Sequence, residues 1–477
     1  MDRTSVIFGN PQPEKTIRKA EKGKQKFLRR FGDDSGADYR FSFVPIDALG
    51  EMGVQNMVLS REAASFPQNG VVVGNIRMGF GHYRISIAMA SCARAMGYEP
   101  LWLDLAAFDA TGSKMIRAQN DLYSLGSRIS QKSRLFNALV WEPMNSEGFR
   151  KLSYNACDQK NSELLAPLFR NLPKEIPYIA THVWPAQGAI HGGLTHVVNA
   201  IPDNWPMALH LAEGAVHTVQ TPFAYLGYKK LNGFDTRPLK GMDEKDIKLV
   251  GAYIDHELVA NLEADNAARK ARCEKGEPLR ILLTVGGAGA GQDMFAAMLR
   301  HLLPYVKRGQ VTLYLNFGDH RKVYDSLCGC VKEFRELSVP LFNEYGKVQA
   351  LANSDSPEGG IYAICNENLF EAVYSTNLLM RRSDLLVTKP SELAFYPIPK
   401  LFMRHIGGHE IYGARYSAEL GDGTFECPTE KSICDMLDYL ISDRQMIASM
   451  CGRIDALKAA GCYNGAYECV KLAANRE

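Results

Sequence analysis

Two short apolar runs constrain the fold more than anything else in the chain. Each breaks at glycine and passes into a stretch of helical spacing. The first, VVVGNIRMGFGHYR, spans residues 71–84, and the second, LRILLTVGGAGAGQ, spans 279–292. A buried strand, a glycine turn and a helix form the repeating unit of a parallel sheet covered by helices on both faces. Around the first run, a helix over 84–97 ended by Gly97 and the apolar stretch EPLWLDL complete a βαβ unit. IPYIATHVW (176–184), THVVNAI (195–201) and AVHTVQT (215–221) continue the rhythm. It restarts at Pro278 and runs through VTLYLNFGD, SDLLVTKPSEL and PKLFMR. The 477 residues exceed one ordinary core. The expected fold class is α/β, with two doubly wound Rossmann-like domains facing each other across a cleft.

The expected organisation is an N-terminal extension over 1–69 packed on the first domain, which is an α/β domain over 70–242. A helical connector covers 243–277, where charged residues dominate, and a second α/β domain covers 278–428. C-terminal helices fill 429–477, where Ile433, Met436, Leu437, Leu440 and Ile441 recur on one helical face started at Thr429.

A formal charge of +2 gives no global drive toward nucleic acid, so any anion must be held by a local site. Eleven cysteines without a CxxC pair indicate reduced thiols and a cytoplasmic setting rather than a disulfide framework. No apolar run reaches the roughly 18 residues of a membrane span. The segment 14–30, EKTIRKAEKGKQKFLRR, carries eight Lys or Arg against Glu14 and Glu21. It reads first as a solvated, partly frayed segment, and second as a peripheral contact with an anionic membrane.

Four places carry the residue types that chemistry needs. In 285–292, Gly286, Gly287, Ala288, Gly289, Ala290, Gly291 and Gln292 follow a strand and precede a helix. There the backbone can approach a diphosphate and aim N–H groups at it. After SDLLV, the turn Lys389, Pro390, Ser391 and Glu392 stands at a strand's C-terminal end, where a carboxylate can grip ribose hydroxyls. Gly408, His409 and Glu410 form a third turn with groups suited to sugar hydroxyls. In the first half, Gly79, Phe80 and Gly81 lead to His82 at a helix start. The positive helix end there favours a neutral imidazole able to accept a proton. Asp203 is a second candidate base. Asp104 at the next strand end leaves a dinucleotide site as a weaker option. Five histidines, His182, His191, His196, His210 and His217, have no metal-ligand spacing and read as structural or substrate-contact groups, with no metal expected.

Over residues 70–425 the order of these motifs resembles the GT-B glycosyltransferases. The branch it looks like contains the lipid-linked muramyl-peptide GlcNAc transferase and monogalactosyldiacylglycerol synthase. The matching pieces are the Gly-His loop at Gly79, Gly81 and His82, the GGSxGA-like loop from Gly286, the Lys389-Pro390 turn leading to Glu392, and His409-Glu410 near the family's Gln-Glu pair. Ala288 stands where the family has Ser, and the turn after Lys389-Pro390 is shorter. The resemblance implies an inverting, metal-independent hexosyltransferase using a nucleotide diphosphate sugar as co-substrate and no further cofactor. His82 or Asp203 would be the base, the loop and Glu392 would hold the donor, and Gly79, Phe80, Gly81 and His196 would face an acceptor, lipid-linked if the family's manner holds. The alternatives are a nucleotide-sugar epimerase or hydrolase on the same fold, or a non-catalytic protein that binds an anion or a partner. Between Asp104 and Ile176 no Met- or aromatic-rich face is evident in the sequence.

Overall fold

The computed structural model describes residues 2–474 except 63, 78, 134, 136, 142, 287, 288, 290 and 355–358. After a small antiparallel pair, β1 (Val6–Ile7) and β2 (Asn10–Pro11), the chain builds an eight-stranded sheet. Its strands are β3 (Arg40–Pro45), β4 (Gln55–Ser60), β5 (Gly70–Asn75), β6 (Glu99–Asp104), β7 (Tyr178–Ala180), β8 (Val197–Ala200), β9 (Val216–Val219) and β10 (Ile247–Leu249). Their order is β10-β9-β8-β7-β5-β6-β4-β3. Only the β3–β4 edge hairpin is antiparallel. The six residues of β5 are all buried, as a strand covered by helices on both faces requires.

The second sheet comprises β11 (Leu279–Thr284), β12 (Val311–Asn316), β13 (Ser338–Phe342), β14 (Ile361–Cys365), β15 (Leu385–Thr388), β16 (Lys400–Met403) and β17 (Gly423–Cys427). It is wholly parallel in the order β13-β14-β12-β11-β15-β16-β17. The fold is therefore the two-domain, doubly wound arrangement expected from the sequence. In each sheet the chain reverses its direction of growth beside the first parallel strand of the central unit, between β5 and β7 and between β11 and β15. The strand ends there diverge into a crevice.

Several elements differ from the sequence reading. The N-terminal segment is not frayed: Glu14–Phe31 is an 18-residue helix packed on the helix Leu152–Ser162, with Lys24 paired to Glu163 at 2.6 Å and Lys160 to Glu21 at 3.2 Å. Lys15, Arg18, Lys19, Lys22, Lys26, Arg29 and Arg30 form its exposed basic stripe. The helix after β5 starts earlier than Arg84, at Phe80, because Gly79 takes the N-cap position with a φ of 78°. Within 243–277, Ile247–Leu249 is a strand at the edge of the first sheet, where a short run suffices because only one neighbour pairs with it. The final helix, Gly465–Ala474, returns to the first domain and buries Ala466, Cys469 and Val470 in the same cluster as Ala88 and Val198. The domains also meet where Trp205 stacks on Tyr412 at 4.5 Å, and where Arg77 reaches Asp319 at 2.9 Å. Among the described residues no helix is long and apolar enough to cross a membrane.

Candidate functional site

At the end of β5 the backbone turns at Gly79 and the helix begins, so His82 sits in the helix's first turn. Its Nδ1 lies 2.6 Å from the Thr181 carbonyl oxygen, just beyond β7. A carbonyl only accepts, so Nδ1 carries the proton and Nε2 keeps its lone pair. Burial lowers the imidazole's pKa, against the opposing pull of the Thr181 carbonyl and the carboxylates of Asp203 and Glu392. The imidazole is thus neutral, with its basic nitrogen available. His182 stands edge-on to it at 4.9 Å and accepts from the Trp184 amide at 3.1 Å, capping the helix Val183–His191. Burial holds His182 well below the usual histidine range. Asp203 Oδ2 lies 3.0 Å from His210 Nε2, so this second candidate base is already engaged by a ring.

The opposing wall comes from the second domain. Lys389, directly after β15, is ion-paired with Glu410, whose other oxygen accepts from the Ile406 amide at 2.9 Å. Burial works against the lysine's charge, but Glu410 and Glu392 outweigh it and raise its pKa. The Lys389 stem crosses Gly286 so closely that a Cβ there would lie 2.9 Å from its Cε. Glu392 reaches back to the first domain. Its Oε1 is 3.9 Å from Nε of the buried Arg84, and a Cβ on Gly81 would lie 3.3 Å from its Oε2. Arg84 also bonds Asn377, which in turn donates to Asp255 at 3.0 Å.

His82, His182, Asp203, His210, Lys389, Glu392 and Glu410 line one cavity of about 780 Å³ between the domains. Of the residues singled out in the sequence, it brings together Gly79, Phe80, Gly81, His82, His182, Asp203, His210, Lys389, Pro390, Ser391, Glu392 and Glu410. Gly286 lies behind them, on a void of about 10 Å³ shared with Phe80, Arg84 and Lys389. The wall does not include Gly289, Gly291, Gln292 or Gly408. Gly289 and Gly291 instead take left-handed conformations, φ 63° and 86°, leading into the helix Gln292–Lys307. Gly287, Ala288 and Ala290 lie outside the described residues, as does the side chain of His409. His196 faces the other way: it precedes β8 at the strand's N-terminal end and contacts the Glu175 carbonyl at 3.1 Å, whereas the cavity lies at the C-terminal ends. Asp104 is committed to structure, accepting from Tyr83 at 2.5 Å and the Ala106 amide at 2.9 Å, which removes the support for a dinucleotide site.

The segment between Asp104 and Ile176 contributes the aromatic wall that its sequence did not announce. Tyr123, Trp141, Met144, Phe149 and Tyr154 line the cavity, joined by Trp184. They come from separate helical segments, so no single periodic face displays them. Arg84 was likewise not assigned to the site, while His182 and His210 read in the sequence only as structural or substrate-contact groups. The strand-end position of His182 after β7 was the available signal. Among the described residues no group of three or more His, Cys, Asp or Glu could hold a metal ion.

Two family models match the chain: residues 6–230 match "Domain of unknown function (DUF6937)" and residues 242–474 match "Domain of unknown function (DUF6938)". No curated protein matches it. Solved structures similar to it include the UDP-GlcNAc 2-epimerase from Neisseria meningitidis bound to UDP-GlcNAc, at 9% identity and TM-score 0.44, covering 85% of this chain and 97% of that one. The S. aureus MnaA–UDP co-structure shows 10% identity and TM-score 0.43, covering 84% and 94%. An α,α-trehalose-phosphate synthase (UDP-forming) from Burkholderia vietnamiensis shows 12% identity and TM-score 0.42, covering 86% and 100%. At these scores the likeness carries no argument, and the fold rests on the strand order and pairing given above.

Proposed function

We propose that the protein is an inverting glycosyltransferase that moves a sugar from a nucleotide diphosphate sugar to an acceptor hydroxyl. The observation that carries this reading is the state of His82. Its Nδ1 proton is fixed on Thr181, its Nε2 is basic, and it lies on a cavity whose far wall presents Lys389 and Glu392. In the proposed step Nε2 takes the acceptor proton as the hydroxyl oxygen bonds to the anomeric carbon. The bond from that carbon to the diphosphate oxygen breaks, and the diphosphate leaves with the electron pair. Lys389 and the turn at Gly286 receive the developing charge, a role that needs no metal ion. Glu392 holds the ribose.

The acceptor enters along Tyr123, Trp141 and Trp184, an amphipathic wall that suits a sugar face or an apolar group. A lipid-linked acceptor, with the basic helix Glu14–Phe31 against an anionic membrane, is the finer form of this reading. The test is turnover over a panel of nucleotide sugars. His82→Ala should collapse kcat while nucleotide affinity is kept, and loss of nucleotide binding instead would overturn the assignment.

One observation favours a second reading, an epimerase or hydrolase: the Asp203–His210 pair gives the cavity another acid–base group. Product analysis with donor alone separates the two. A transferase releases little free or altered sugar without an acceptor.

A further inference from the structure

Lys389 is the one Lys or Arg among the described residues lining the interdomain cavity, and its charge is taken by Glu410. Both side chains are well shielded, with 23% and 8% of their surfaces exposed. Behind them Glu392 stands 3.9 Å from the buried Arg84. Two cations and two carboxylates therefore form a quartet that is neutral as it stands. A diphosphate brings at least two further negative charges, and in a site of low dielectric an uncompensated charge is costly. Withdrawal of one carboxylate would free a cation for such a ligand, which the backbone N–H groups of the turn at Gly286 would help to hold. Glu392 is wedged between Gly81 and Arg84, contacts made across the domain boundary. Glu410 belongs to the three-residue turn Gly408–Glu410 that follows Gly407, and one of its contacts besides Lys389 is the amide of the partly exposed Ile406, which water can satisfy. Of the two, Glu410 is the one built to leave.

We infer that Glu410 is an internal stand-in for the ligand's diphosphate: the entering anion takes Lys389 over Gly286, and the Glu410 carboxylate swings off the cavity wall. This exchange rests on the nucleotide-sugar reading above and adds a regulatory consequence to it. Anions too weak to displace a carboxylate are refused, and the apparent affinity of a true ligand is reduced by the fraction of protein in which Glu410 has let go.

The test is calorimetric titration of the full-length protein with inorganic pyrophosphate and with a panel of nucleoside diphosphates. Glu410→Gln keeps the shape and the Ile406 contact but removes the competing charge, and should bind both classes about tenfold more tightly than the wild type. Glu410→Asp, too short to hold Lys389, should move in the same direction, and a melting curve of each variant shows that it is folded. Lys389→Met should lose tenfold or more, and the double variant should bind no better than Lys389→Met. A wild type that binds nucleotides while both folded Glu410 variants bind equally or more weakly overturns the exchange and leaves the donor site standing. If neither the wild type nor Glu410→Gln binds pyrophosphate or any nucleoside diphosphate, the donor-site reading falls and the exchange with it.

Discussion

The two domains share an architecture and differ in how they treat many of their buried ionisable groups. In the first, burial acts largely without counter-charges: it lowers His82 and His182, holds His191 and His217 down at about 4, and raises the carboxyls of Asp104 and Asp158, the latter to about 8. Near neutral pH these four imidazoles and the Asp158 carboxyl are consequently neutral. In the second, several buried charges come in pairs: Lys400 with Asp422 at 2.8 Å, Arg272 with Asp384 at 2.7 Å, and Lys389 with Glu410. A neutral imidazole suits proton transfer, whereas a fixed lattice of paired charges suits the holding of an anionic ligand. The proposed division of labour across the cavity would follow from how each domain manages desolvation.

The sharpest way to break this comparison is at its two extremes. His82→Ala should reduce kcat by about 10²–10⁴-fold, the usual worth of a positioned general base, with nucleotide affinity unchanged in a titration. An equal loss in both quantities would mean that His82 binds and does not transfer protons. In the second domain, Asp422→Ala strands Lys400, which is fully buried, and should cost about 3–5 kcal/mol in denaturant unfolding. Replacing both partners by apolar residues should recover much of that loss. If it does not, the pair contributes more than mutual neutralisation.

A smaller effect, opposite in sign, is expected at Asp158. Its folded-state pKa of about 8 lies above the ordinary value of 3.8, so between these two the folded protein binds a proton that the unfolded chain has released. Stability contributed by the protonated carboxyl is therefore present at low pH and is lost as pH rises toward 8. Asp158→Asn mimics the neutral acid and should remove this slope, leaving the variant about 1–3 kcal/mol more stable than the wild type at pH 8 and nearly equal to it at pH 4. Parallel melting curves across that range would show that Asp158 is relieved by partners absent from its surroundings here.

How much of this was legible in the sequence depends on whether the signal was local. β5, β11 and β12 are continuous apolar runs bounded by turn residues, and they read directly as buried parallel strands. β13, SVPLF, contains proline and exposes Val339, as an edge strand can, while β10 is three residues long, so neither carries a pattern. The turn residues His82, Lys389 and Glu392 were readable because a strand end, a glycine or proline and a helix start lie adjacent in the chain. Arg84 was not, since it looks like one more helical residue and its partner Asn377 is 293 positions away. The aromatic wall failed for the same reason. Tyr123, Trp141, Phe149 and Tyr154 converge only after several helical segments pack, and no spacing rule spans such segments.

The smallest effect expected concerns the seam between the two regimes. Arg77, in the turn that leads to His82, meets Asp319 after β12 of the other domain at 2.9 Å, but the arginine is more than half exposed. Solvent and salt screen such a pair, so Arg77→Ala should change global stability by less than about 1 kcal/mol. Its position is nevertheless informative. It joins the turn that carries the proposed base to the domain that carries the proposed donor site, so whatever it is worth acts on closure of the cavity rather than on either core. The expected signature is a modest rise in KM for the donor that vanishes when wild type and variant are compared at high salt, with kcat kept. A fall in kcat that survives high salt would instead mean that Arg77 helps to place His82.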